Sequence, residues 1–334
     1  MRSLQRAFSA IRDTSALAAA AIFIGLYGLL IVISPIEGST FLVNNFIVLI
    51  SPLAIAAVGT TLVLILGGFD LSVAGTISVA NVVAATAMTK NPDAAWLIAL
   101  AVIVMGAAVG LLNGFLISVV GLSSLGVTLA TNIVLSGIAL VIMPAPGGLV
   151  PPEFTSTLTG MAGPIPFSAL VLLALSIAWV IFTKTRTGMA VFAIGGDINA
   201  ARLSGIPVKR VQMSAFSIAG ALYAAAGLYL SALTATGSPS AGSSFLLTSF
   251  TAGDLGLVSF RGGRGSAIAA IFGAGTVMVI PKFLFSAGIA DFWVGAFQGV
   301  IVLIALGIPS ITAKIAALRA SRRSIRRTAL TEAI

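Results

Sequence analysis

Long apolar segments follow one another along almost the whole chain and are separated by short polar stretches. A helix needs about 20 apolar residues to cross the hydrocarbon core of a membrane. The pattern therefore predicts an all-α integral membrane protein with about ten transmembrane helices. The predicted spans are residues 15–34, 43–66, 70–89, 94–118, 125–143, 167–183, 211–233, 244–259, 265–285 and 291–309. The span 244–259 is the weakest because it is short and contains Asp254.

Composition supports a membrane protein and excludes several classes of enzyme. Of the 334 residues, 58% are hydrophobic and 8% are charged, whereas a soluble domain carries about 25% charged residues. The chain contains no cysteine and no histidine, which excludes disulfides, catalytic thiols, histidine bases and the usual zinc or haem sites. We therefore predict no catalytic residue, no metal site and no cofactor in this chain.

Lysine and arginine are distributed very unequally between the two sides of the predicted membrane. With the N-terminus inside and ten spans, sixteen of the 18 fall on the inner side, and only Lys90 and Lys282 fall outside. Because positive residues accumulate in cytoplasmic loops, both termini are predicted to be cytoplasmic and the number of spans to be even. The net charge of +9 follows this rule and does not indicate nucleic-acid binding.

Three regions are predicted along the chain. Residues 1–13 are basic and carry apolar residues on one helical face, which predicts an amphipathic helix on the cytoplasmic lipid surface. Residues 14–310 form the transmembrane domain, and residues 311–334 form a basic cytoplasmic tail. Spans 2–5 begin outside and spans 7–10 begin inside, which is the parity of an inverted repeat. The glycine-rich breaks at 67–68 and 237–242 would then be counterparts.

The stretch 188–210, within a cytoplasmic loop at 184–210, is the only long polar and charged interruption between the predicted spans. Residues 197–203 are predicted to form a short helix. Asp197 is placed to accept hydrogen bonds from free N–H groups at the helix start, and Arg202 suits the negative end of the helix dipole. A short capped helix between two spans forms a rigid projection on the membrane surface. The alternative is an ordinary basic cytoplasmic loop.

Four motifs in this chain resemble those of one known family. The segment AIGGDINAARLSGI at 193–206 resembles the cytoplasmic coupling helix of the permease subunits of bacterial sugar-type ABC importers, the ribose/xylose permease family. The other motifs occur in that family's order and are GGFDLSVAGTISVANVVAA at 67–85, GSPSAGSSF at 237–245 and GGRGS at 262–266. The resemblance covers roughly residues 40–310.

This resemblance implies a transport subunit with several partners. It implies a permease that imports a monosaccharide or a related polyol and forms a homodimer or heterodimer with a second permease subunit. An ATP-binding ABC subunit would dock on the coupling helix, and an extracytoplasmic solute-binding protein would deliver the solute. The implied location is the bacterial cytoplasmic (inner) membrane. The residues assigned to ATPase coupling are Gly195, Gly196, Asp197, Asn199, Ala200, Arg202, Leu203 and Gly205.

Two features of the sequence favour energy supplied by a separate ATPase. The chain contains no G-x-x-x-x-G-K-[ST] phosphate-binding loop. No predicted span holds a charge clearly at its midplane, whereas ion-coupled carriers usually need buried ionisable groups. Two alternatives stay open. One is an ABC permease for nucleosides or branched-chain amino acids, and the other is an ion-driven secondary transporter.

Polar residues within or between the predicted spans are candidates for the solute path. They are Asp70, Ser72, Asn81, Asn113 and Asn132. Amide and hydroxyl groups would give a polyhydroxylated solute adequate weak contacts, but amides can instead bond neighbouring helices. For Asp70 the alternative role is structural, because its side chain can cap the N-terminus of the third span.

Two more segments have open roles. The proline-rich outer loop 144–166 is either a docking surface for an extracytoplasmic partner or a spacer. The segment GDLGLVSFRGGRGS at 253–266 departs from the family's usual VVLGGTSLSGGRGS. One hypothesis is that this subunit pairs with a different permease subunit that keeps the usual motif, and the alternative is neutral drift.

Overall fold

The computed structural model describes residues 2–255 and 262–286, together with residues 288, 289, 293, 296, 297, 299 and 300. The helices are α1 Arg2–Ile33, α2 Thr40–Ile65, α3 Val73–Lys90, α4 Ala95–Phe115, α5 Ser124–Ile142, α6 Pro152–Thr159, α7 Phe167–Lys184, α8 Arg186–Gly196, α9 Ile198–Leu203, α10 Val208–Thr234, α11 Phe245–Leu255 and α12 Ala267–Ser286. A hairpin of two antiparallel strands, β1 Met161–Ala162 and β2 Ile165–Pro166, lies between α6 and α7. α1 runs unbroken through residues 2–13, and the position of these residues on lipid stays a prediction.

Seven helices among the described residues are long and apolar enough to cross a membrane. They are Ser15–Ile33, Thr40–Ile65, Pro92–Val120, Ser124–Ile142, Phe167–Lys184, Val208–Thr234 and Ala267–Ser286. The predicted number of about ten spans is therefore not confirmed.

Three of the ten predicted spans are not among these seven helices, and the reason differs from one to the next. α3 occupies the predicted span 70–89, but polar residues such as Asn81 lower its hydropathy, and the helix is mostly buried in protein. α11 is described only as far as Leu255, and residues 256–259 of the predicted span 244–259 lie outside the described residues. The predicted span 291–309 lies mostly outside the described residues.

The helices α2, α3 and α10 form the centre of the described structure. α10 packs against α2, α3 and α4, and α2 also packs against α11 and α12. In the most apolar stretch of α2, 89% of the residues are buried, whereas in that of α1 only 11% of the residues are buried. The outer helices α4, α5 and α7 instead expose large apolar side chains, such as Val141 on α5. An exposed apolar surface of this kind suits contact with lipid.

Glycines allow α4 and α10 to approach each other at backbone distance. Gly106, Gly110 and Gly114 recur every fourth residue on α4. A Cβ atom on Gly110 would lie 2.0 Å from the carbonyl oxygen of Phe216 on α10. Small residues at this spacing let helix backbones pack closely in lipid. The contact fixes the first half of α10, whose first residues belong to the polar segment 188–210.

Candidate coupling surface and solute path

The polar segment that the sequence marked as an interruption consists mainly of two helices, α8 and α9, joined at Asp197. The Asp197 carboxylate accepts hydrogen bonds from the N–H groups of Asn199 at 2.8 Å and Ala200 at 3.0 Å. The predicted N-terminal cap is thus confirmed, and the predicted helix 197–203 is observed as Ile198–Leu203. The sequence pattern does not predict α8, because its apolar residues lie within the stretch that is interpreted as a polar loop.

The end of α9 depends on a glycine in the left-handed region. Gly205 has φ +78°, a conformation that is unfavourable for residues with a side chain. Its N–H donates to the carbonyl oxygen of Arg202 at 3.0 Å, and the N–H of Ile206 donates to that of Ala201 at 3.1 Å. These bonds satisfy carbonyl groups that the helix leaves open at its C-terminus. The chain then turns directly into α10.

α9 presents an apolar side chain to its surroundings. Leu203 is 90% exposed and Ile198 is 38% exposed, whereas Ala201 is buried and faces the body of the protein. Arg202 is also exposed. A leucine exposed to this extent beside a positive charge, on a helix fixed at both ends, is a suitable contact surface for another protein.

The cap of α9 gives a first testable expectation. Asp197→Ala should destabilise α9 by about 1 kcal/mol, which corresponds to about fivefold faster hydrogen exchange at residues 199 and 200. Asp197→Asn is the matched control, because its side-chain oxygen can still accept both bonds. Hydrogen exchange followed by mass spectrometry on membranes would measure the difference. Equal exchange rates in the two variants would contradict a stabilising role for the cap.

Three glycine-rich segments from distant parts of the chain meet at the C-terminal end of α8. We call this contact the glycine junction, and its members are Gly67, Gly195, Gly196, Gly262 and Gly263. The N–H of Gly263 donates to the carbonyl oxygen of Ile65, the last residue of α2, at 2.8 Å. A Cβ atom on Gly195 would lie only 1.7 Å from that same oxygen. The end of α8, the end of α2 and the loop at 262–266 therefore touch through backbone alone.

Asp70 lies in the break between α2 and α3 and is 1% exposed. One carboxylate oxygen accepts bonds from the N–H and the hydroxyl of Ser72 at 3.0 and 2.5 Å. Asp70 does not occupy the predicted cap position of the third span, because α3 begins at Val73 with Ser72 in that position. Its carboxylate instead accepts the N–H of this cap residue. The other oxygen of Asp70 is buried and has no hydrogen-bond partner among the described residues.

A chain of polar side chains connects this break to α4 and α5. The Asn113 amide donates to the Ser72 hydroxyl at 3.1 Å, and the Thr131 hydroxyl donates to the Asn113 oxygen at 2.7 Å. The hydroxyl of Thr128 accepts the N–H of Leu71 at 3.0 Å. These bonds satisfy backbone and side-chain groups that an interrupted helix would otherwise leave open at membrane depth.

A second break in the helices, at residues 235–244 between α10 and α11, is hydrogen-bonded to Asn81 on α3. Its amide donates to the hydroxyl of Ser231 at 2.8 Å, and its oxygen accepts the N–H of Ser238 at 2.6 Å. Nearby, the hydroxyl of Ser78 accepts the N–H of Gly242 at 3.0 Å. In this conformation both ends of the Asn81 side chain are occupied by the protein itself.

The bonds of Asn81 give a second expectation. Asn81→Ala removes the partner of the Ser238 N–H, and an unsatisfied buried group costs about 1–3 kcal/mol. We expect a lower unfolding temperature of the purified protein in detergent. Asn45→Ala is the control, because Asn45 is exposed and makes no side-chain bond within the described residues. An unchanged unfolding temperature in Asn81→Ala would show that the second break does not depend on this side chain.

A cavity of about 270 Å³ lies between α3, α5 and the second break. It is lined by Ala74, Ser78, Asn132, Ser136, Leu140, Pro239, Ser240, Ser243 and Leu246. Of the five residues predicted for the solute path, only Asn132 is among these. Ser72, Asn81 and Asn113 instead bond to other parts of the protein, and Asp70 bonds only to Ser72 among the described residues.

Several known proteins that are similar to this chain are described as transport permeases. The family model described as the permease component of branched-chain amino acid transport systems matches residues 42–306. A probable ABC transporter permease protein of Sinorhizobium fredii is 36% identical over 77% of this chain and 77% of its own length. The ribose import permease protein of Bacillus subtilis is 33% identical over 85% of this chain and 90% of its own. The galactose/methyl galactoside import permease protein of Haemophilus influenzae is 29% identical over 86% of this chain and 91% of its own length. No solved structure matches this chain.

Proposed function

The chain belongs to this family of ABC transporter permeases, and we propose that it carries a monosaccharide or a related polyol into the cytoplasm, driven by a separate ATP-binding subunit docked on α9. It is a multi-pass protein of the inner membrane. The observation that supports the docking site is the exposure of Leu203 on a helix capped at both ends. The sugar assignment is supported by the ribose and galactose permeases among its relatives.

The partners follow from this role. Two permease subunits, identical or different, form the path, and a solute-binding protein delivers the solute from outside. Both termini lie in the cytoplasm, as the positive charges indicate, which places α9 on the side where ATP is available. The loop 144–166, with α6 and the β1–β2 hairpin, lies on the opposite side and is the surface on which the binding protein would act.

Coupling requires that movement of α9 reach the solute path. α9 is joined to α8 at Asp197, and the end of α8 touches the end of α2 at the glycine junction. The break containing Asp70 follows directly, and side-chain bonds connect it to α4 and α5. Closure of two ATP-binding subunits would push α9, and the junction would pass the displacement to this break without a flexible side chain between them.

The proposal is tested by the energy source of uptake. In membrane vesicles containing the complete importer, ribose or galactose uptake should require ATP and the ATP-binding subunit, and it should survive collapse of the ion gradients. Uptake that persists without the ATPase and stops when the gradients collapse would instead support an ion-driven secondary transporter.

The divergent segment at 253–266 concerns the identity of the second permease. Residues 256–261 within it lie outside the described residues, so the hypothesis of a heterodimer stays a prediction. Expression of this subunit without any second permease should give no transport-active complex if the hypothesis holds. A stable and active homodimer would contradict it.

A further inference from the structure

The cavity between α3, α5 and the second break has the chemistry of a solute site. We propose that it binds one uncharged, polyhydroxylated solute molecule during its passage, and this inference rests on the proposed function. Its volume of about 270 Å³ lies just below the range of about 300–1,000 Å³ for drug-sized ligands, which suits a small solute such as a monosaccharide.

Several polar groups in the lining have hydrogen-bonding capacity left for a solute. The hydroxyl of Ser136 makes no hydrogen bond within the described part of the chain. The oxygen of Asn132 accepts the N–H of Gly75 at 2.7 Å, which leaves the amide N–H groups without a partner among the described residues. The hydroxyl of Ser240 has only the Ser238 hydroxyl, at 3.3 Å. These groups can exchange a sugar's bonds to water for bonds to protein.

Among the described residues, the lining contains no ionisable side chain. An amino acid would bring a carboxylate and an ammonium group, and burial of charges without partners is strongly unfavourable. A sugar has no such requirement, and its C–H faces can contact Leu140 and Leu246. The cavity therefore favours a sugar over a branched-chain amino acid, although the matching family is described by the latter.

The second break contributes directly to the lining. The first break, between α2 and α3, immediately precedes the α3 residues that line the cavity, so a movement of either break would reshape it. Ala74 and Ser78 lie in the first two turns of α3, directly after the first break. Pro239 and Ser240 belong to the second break, and a Cβ atom on Gly242 would lie 1.9 Å from the carbonyl oxygen of Ala74. The contacts with a solute are thus made and lost when the glycine junction moves the first break.

The first test fills the cavity. Ser136→Leu should lower ATP-driven uptake of ribose and galactose by about tenfold, which equals a loss of about 1.4 kcal/mol in solute binding. Gly137→Leu is the matched control, because a Cβ atom at Gly137 meets nothing within 4 Å. ATP hydrolysis by the assembled importer should persist in both variants. Undiminished sugar uptake in Ser136→Leu would overturn the cavity proposal, whereas uptake independent of an ATP-binding subunit would overturn the proposed function instead.

The second test detects binding and stays informative if Ser136→Leu does not fold. The chain has no cysteine, so a Ser136→Cys variant carries a single thiol that N-ethylmaleimide can modify in membrane vesicles. Ribose or galactose should slow the modification, and leucine should not. Ser156→Cys, on the exposed helix α6, should react at the same rate with or without sugar. Equal protection by leucine, or no protection by either sugar, would overturn the proposal.

Discussion

Replacement of Gly195 by alanine is expected to abolish ATP-driven transport and to lower the amount of folded protein in the membrane. A Cβ atom at this position would lie 1.7 Å from the carbonyl oxygen of Ile65 and 2.5 Å from the nitrogen of Gly263. Both are backbone atoms, so no side-chain rotation can relieve the clash. Over-packing commonly costs about 1–3 kcal/mol and occasionally more, and here it would separate the three segments of the glycine junction.

Gly196→Ala is the matched control for this prediction. Gly196 is the next residue of the same helix, but a Cβ atom there meets nothing within 4 Å. The two variants receive the same methyl group and the same gain in helix propensity. Membrane content and unfolding temperature should therefore separate Gly195→Ala from a nearly unchanged Gly196→Ala. If both variants behave alike, the close contact at Gly195 is not important for folding.

Replacement of Leu203 by glutamate is expected to uncouple the permease from its ATPase without unfolding it. The side chain is 90% exposed, so the folded subunit loses little packing. In the complex, loss of a central apolar side chain commonly weakens binding by about 2 kcal/mol or more, which corresponds to a roughly thirtyfold lower affinity. Uptake in vesicles should fall accordingly, and an excess of the ATP-binding subunit should restore part of it.

Leu149→Glu controls for the introduction of a carboxylate at an exposed leucine. Leu149 is 62% exposed and lies in the loop 144–166, on the side opposite to α9. The ATP-binding subunit should co-purify with Leu149→Glu as with the wild type, and it should be lost from Leu203→Glu. A loss of the co-purified subunit in Leu149→Glu as large as in Leu203→Glu would indicate a general effect of the added charge.

Local features of this protein could be predicted from the sequence because neighbouring residues determine them. The acidic residue before a short apolar-periodic stretch predicted the cap at Asp197, and the structure has it. The positions of most helices follow from hydropathy in the same way. The number of spans could not be obtained like this, since α3 is enclosed by protein and does not need an apolar surface toward lipid.

Long-range features could not be predicted, because they depend on backbone segments that only the fold brings together. Paired glycines at 67–68, 195–196 and 262–263 are visible in the sequence, but nothing local indicates that these segments touch. The role of Asn81 is similar. An amide in a span is compatible with a solute path, and only the fold places Ser231 and Ser238 at its two ends.

The central claim is that an ATP-binding subunit docks on α9, and a single-cysteine cross-link tests it most directly. Because the chain has no cysteine, Leu203→Cys can carry one photoactivatable maleimide in native membranes. We expect cross-linking to one dominant partner, and mass spectrometry should identify it as a protein with a phosphate-binding loop of the ATPase type. The same label at Leu149→Cys should not capture that protein. A cross-linked product at Leu203 without any ATP-binding protein would contradict the account.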